Sequence, residues 1–135
     1  MTGRVRAVAK QKYVIFVRRS EEFESAASAA AERGHWDAAV SNAIHAAISI
    51  ADALSVYYLG QRSAAQRHEE SLRLLLSLTM DAKDLDRNVR HLTSLLELKS
   101  AAEYDERSVT ASEAKAARNH MSRFLEWARA RLPRT

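Results

Sequence analysis

The segment WDAAVSNAIHAAISIADALSVYYL, residues 36–59, decides the fold. Trp36, Val40, Ala43, Ile44, Ala47, Ile50, Ala51, Leu54 and Tyr58 recur at helical spacing, and Gly60 stands where such a helix ends. Its many alanines let a neighbouring helix approach closely. A helix of this kind is stable only when other helices cover it.

The flanking segments supply those helices. Towards the N-terminus, Ser20 has the chemistry of a cap and Glu21 and Glu22 suit the positive end of a helix dipole. Gly34 can close the helix in a left-handed conformation, so the sequence predicts a helix over 21–33. Towards the C-terminus, a helix beginning near Ser63 or later presents Leu72, Leu75, Leu76 and Thr79. Asp81 or Asp84 opens the next, with a stripe of Leu85, Val89, Leu92, Leu96, Lys99 and Ala102. TASE at 110–113 has capping-box spacing, and Ala114, Ala117, Met121, Phe124, Leu125, Ala128 and Leu132 follow it to a stop at Pro133. No strand with clean alternation is visible. The fold class expected is all-α, an up-and-down bundle of four to five helices over residues 20–133, preceded by a basic arm or short extra helix over 1–19.

Composition agrees. A chain of 135 residues is one domain, and three glycines and one proline leave little room for hairpins. The absence of cysteine excludes disulfides, thiolate nucleophiles and cysteine-bound zinc. No apolar run approaches the roughly 18 to 20 residues that span a bilayer and no signal-peptide pattern is present, so the expectation is a soluble, cytoplasmic protein without a membrane partner. The net charge of +4 is uneven: Arg4, Arg6, Lys10, Lys12, Arg18 and Arg19 precede the first acid, and Arg129, Arg131 and Arg134 close the chain. Such clusters either attract polyanions such as RNA or form a solvated face.

Three arginine–histidine combinations have the makings of chemistry on a phosphodiester, where a cation holds the phosphate and an imidazole moves a proton. Arg62 and His68 have five residues between them. Arg87 and His91 sit one turn apart on one helix face, with Arg90 beside them. In RNH at 118–120, successive residues point about 100° apart and cannot converge. The plain alternative for His68 is a helix start at which Glu69 pairs with Arg73. His45, Ser49 and Asp52 form a narrow polar stripe suited to a helix or subunit seam. On the last helix His120, Arg123, Trp127 and Arg131 share a second face, and the tryptophan either stacks on a base, anchors a partner or packs beneath the arm. No Glu-x-x-His pair is present, and neither a metal nor a cofactor is expected.

Four segments, ESAASAAAERGHWDAAVSNAIHAAISIADAL (24–54), RHEESLRLLLSL (67–78), KSAAEYD (99–105) and EAKAARNHMSRFLEWARARL (113–132), together resemble the HEPN family of small prokaryotic helical domains. The likeness covers about residues 20–132. It implies a dimeric helical bundle that is either a metal-independent endoribonuclease or a non-enzymatic companion of a minimal nucleotidyltransferase in toxin–antitoxin and defence systems. Active members resembling this chain carry an arginine and a histidine four to six residues apart, usually late in the chain. Here that region reads KSAAEYD, with Lys99 at the arginine position and Tyr104 near the histidine position. The resemblance implies that Tyr104 and Asp105 pack near a dimer seam. The expectation is therefore a homodimeric RNA- or partner-binding component. Arg87, Arg90, Arg123, Trp127 and Arg131 are the candidate nucleic-acid contacts, and the alternatives are an endoribonuclease using Arg62 and His68 and a plain helical interaction module whose basic arm recruits nucleic acid without specificity.

Overall fold

The computed structural model describes residues 5–64 and 68–134, apart from the side chains at 68, 69 and 103. Its helices are α1 (Tyr13–Glu32), α2 (Trp36–Leu59), α3 (His68–Leu76), α4 (Ala82–Tyr104) and α5 (Ala111–Arg129), with short strands β1 (Val5–Ala7) and β2 (Gln61–Ser63). The all-α bundle is thus present, with α2 at its centre, packed against α1, α3, α4 and α5. Ala39, Ala43, Ala46, Ala47 and Ala53 of α2 are fully buried, as is Ala27 of α1. Small side chains at these positions let the rods close on each other, and Ile44, Ile50 and Leu54 fill the space between them.

By length and composition α2 is apolar enough to cross a membrane, contrary to the sequence expectation. In this fold 78% of its apolar window is buried by the protein itself. Helices α1 and α5 supply that cover.

The glycines behave as read. Gly34 adopts φ +73° in the α1–α2 turn and Gly60 adopts φ +65° at the end of α2. A side chain at either costs about 1–2 kcal/mol. Gly60 donates its N–H to Val56 and turns the chain so that residues 61–63 run antiparallel to 5–7, with Val8 donating to the Gly60 carbonyl at 2.9 Å. This ribbon corrects the expectation of no strand and gives part of the basic arm a fixed place. The pairing is Val5 with Ser63, Arg6 with Arg62 and Ala7 with Gln61.

Helix α1 begins at Tyr13 and not at Glu21. A 3₁₀ turn at Lys10–Lys12 leads directly into it. Ser20 is no cap. It lies fully buried inside the helix, with its hydroxyl donating to the Val17 carbonyl at 2.6 Å, and Phe16 and Val17 join the core. Asp81 is the cap of α4, accepting from the backbone N–H of Asp84 at 2.9 Å. The capping box of Thr110 and Glu113 is formed at α5. On α3, Leu75 is buried but Leu76 is 48% exposed and Thr79 is exposed as well. The helix stops at Leu76, and the turn that follows brings Leu78 inward instead.

Candidate functional site

The first candidate centre lies where β2 passes the buried stretch of α2 that carries Asp52. Arg62 projects from β2 with its guanidinium 5.0 Å from the Phe16 ring centre and its Nη2 3.8 Å from Asp52 Oδ2. Arg19 approaches the same ring at 5.1 Å. The Arg62 Nε is buried without a hydrogen-bond partner among the described residues. Asp52 is 6% exposed, and burial pushes its carboxyl up to about 6, against the opposing pull of Arg62 and Arg19. The ribbon with β1 is what holds Arg62 here. His68, its partner in the sequence reading, is the first residue of α3, and its side chain lies outside the described residues.

The remaining members of the polar stripe separate. His45 is largely exposed, and its ring lies 5.1 Å from Phe23 of α1. Partial burial lowers its pKa, and Lys99 of α4 lowers it further, so the neutral imidazole is favoured. Asp52, two turns on, faces inward to Arg62. The structure therefore brings His45 towards Lys99 and Asp52 towards Arg62.

At the C-terminal end of α4, Tyr104 is 89% exposed. Asp105 pairs with Arg107 at 3.3 Å, and Arg107 also grips both carboxylate oxygens of Glu113 at 2.8 and 2.9 Å. The Arg107 fork holds the Glu113 carboxyl down at about 2. Asp37 of α2 accepts the Val109 N–H at 3.0 Å, so the α4–α5 loop is tied to the core helix.

The second candidate centre is the seam between α4 and α5. His91 and His120 meet with Nδ1 atoms 3.0 Å apart, one donating to the other. Burial lowers the His91 pKa, and His120 and Arg123 lower it further. Further along the seam Asp84 accepts the Trp127 indole N–H at 2.9 Å and an Arg131 N–H at 2.5 Å. These contacts, that of Trp127 first, hold its carboxyl below the usual range. Trp127 is 7% exposed, with the Arg131 guanidinium 5.0 Å from its ring centre. Neither residue is a free nucleic-acid contact, which corrects the sequence expectation: the indole is core, because α4 offers its N–H an acceptor.

Arg87, Arg90 and Arg123 are exposed and make no hydrogen bond or ion pair among the described residues. Arg118 turns towards α1, donating to Ser28 Oγ at 3.3 Å, while its neighbour His120 faces α4. Their helical angle separates them in this way. The contact of His91 with His120 joins two different helices, so the spacing within either helix does not predict it. Their position on facing helices was the available signal. Among the described residues no three metal-binding side chains converge.

A family model described as HEPN domain matches residues 13–131, from the first residue of α1 to just beyond α5. No curated protein and no solved structure matches the chain.

Proposed function

The chain belongs to the HEPN domain family, and from that premise we propose that it is a homodimeric, cytoplasmic, non-catalytic component that binds RNA or a minimal-nucleotidyltransferase partner in a prokaryotic toxin–antitoxin or defence system. The observation that carries the non-catalytic reading is Arg62. An arginine that stabilises a scissile phosphate must turn its fork of donors to that phosphate. Here the guanidinium lies over Phe16 and pairs with Asp52. The RNA part is supported by Arg87, Arg90 and Arg123, three exposed cations near the α4–α5 seam that make no ion pair among the described residues, although Arg87 lies close enough to Asp84 to help lower its pKa.

Purified protein incubated with total RNA and a chelator is expected to leave the RNA intact while binding it, with affinity falling steeply as salt rises. Cleavage without metal that vanishes in Arg62→Ala would overturn the non-catalytic reading. Copurification with a nucleotidyltransferase would support the companion role, and light scattering at the mass of a monomer would remove the homodimer.

One observation favours a second reading, an endoribonuclease using Arg62 and His68. Asp52 titrates near 6, so below that pH its charge is lost and Arg62 is released from its partner. This reading requires cleavage that rises on acidification and is absent from His68→Ala.

A further inference from the structure

Helix α2 opens with Trp36, at the end of the bundle away from Arg62. A groove of about 450 Å³ runs along the indole between the end of α1 and the first turns of α5, within the size range of small-ligand sites. Three alanines, Ala31, Ala111 and Ala114, line it and leave the ring uncovered on that side. Lys115, Arg118, Asn119 and Ser122 supply the rest of the wall, so the lining holds two cations and no carboxylate. Lys115 is exposed and makes no ion pair among the described residues. Trp36 is half-buried, and its indole N–H makes no hydrogen bond among the described residues. A second groove, also about 450 Å³, lies against Trp36 beside Gly34, His35 and Asp37. In it Asp37 is occupied by the Val109 N–H.

An open aromatic wall beside two cations, Lys115 and an Arg118 whose fork spends one N–H on Ser28 Oγ, is the chemistry that recognises a nucleotide: the base stacks on the ring and the phosphate meets the ammonium and guanidinium groups. Because grooves lie against the indole on two sides, the space exceeds one nucleotide and suits a continuous strand. We infer that the Trp36 groove is a docking track for single-stranded RNA, with a base stacked on Trp36 and the neighbouring phosphate held by Lys115 and Arg118. The inference rests on the RNA-binding half of the function proposed above and adds to the α4–α5 arginines a second, separate set of contacts.

The test uses the full chain and a short labelled oligoadenylate. The chain has two tryptophans, and Trp127 is buried. Quenching of emission by the oligomer is therefore expected in the wild type and absent in Trp36→Phe. Fluorescence anisotropy should show Kd raised about tenfold by Trp36→Ala and by the double variant Lys115→Ala, Arg118→Ala. The double variant changes one exposed and one half-buried side chain while leaving Trp36 in place, which keeps the test valid if Trp36→Ala does not fold. Unchanged Kd in both variants, with binding lost on replacing Arg87, Arg90 and Arg123, would sink the groove and leave the RNA reading standing. No RNA binding by the wild type would sink both. Adenosine monophosphate binding as tightly as the oligomer would overturn the strand in favour of a mononucleotide pocket. Quenching that depends on protein concentration without RNA would give the groove to a second copy of the chain.

Discussion

Two corners of the molecule are built from the same three kinds of residue and behave in opposite ways. At the α4–α5 corner Asp84, Arg131 and Trp127 meet, and at the α2–β2 corner Asp52, Arg62 and Phe16 meet. In each the guanidinium lies 5.0 Å from the aromatic ring centre. At the first corner the acid receives two donors, from the indole at 2.9 Å and from the arginine at 2.5 Å, and stays ionised. At the second the ring has no donor to offer, the arginine stands back at 3.8 Å, and burial drives the carboxyl up. One donor and a little more than 1 Å of separation distinguish a fastened clasp from a loose one. A repeated trio of residue types is therefore no guide to role until the hydrogen bonds are counted.

The largest expected effect tests the fastened corner. Trp127→Ala should cost about 3–5 kcal/mol in urea unfolding, the loss of a core aromatic. A loss below about 1 kcal/mol would show that the indole is not part of the core. Next comes the sign of the pH dependence. The Asp52 carboxyl is raised in the fold, so its contribution is complete below its unfolded pKa near 3.8 and is lost as pH rises through about 6. Relative to Asp52→Asn, the wild type should lose up to about 3 kcal/mol of stability between acid and neutral pH. Asp84 is lowered, so its contribution is present above the ordinary carboxylate range and disappears as pH falls below it. Asp84→Asn should consequently be destabilised at neutral pH and approach the wild type in acid. If both variants follow one pH profile, the comparison between corners fails.

Smaller still, Arg62→Ala should cost about 1 kcal/mol at neutral pH, because a partly exposed pair at 3.8 Å is weak. It should also raise the Asp52 pKa further, a shift read directly by carboxyl NMR titration. The gentlest test concerns RNA. Replacing Arg87, Arg90 and Arg123 by alanine should reduce the slope of log Kd against log salt by roughly 0.7 for each phosphate contact removed.

The helices were legible wherever the signal is local. The stripe of α2 needs only its own spacing, Gly60 needs only its missing side chain, and TASE carries both halves of its cap within four residues. What failed depends on partners distant in the chain. Ser20 looks like a cap until the buried faces of Phe16 and Val17 extend the helix through it. Three-residue strands have too few positions to alternate, and β1 exists only because Gly60 delivers β2 beside it. Trp127 reads as a surface aromatic among arginines, and its acceptor lies 43 residues away on another helix. The same distance problem kept His91 apart from His120 and hid the uncovered side of Trp36. For the candidate site, sequence named Arg62, Asp52 and His45 as polar positions worth testing, but their pairing followed from packing alone.

The two-strand ribbon has a practical corollary. Arg6 and Arg62 are register partners across it, so like charges sit opposite each other on the only strap that fixes Arg62 from the N-terminal side among the described residues. A label attached ahead of residue 5 enters beside that strap, and one attached after Arg134 leaves beside Val17 and Glu21 of α1, so assays of the Arg62 corner are best made on the untagged chain.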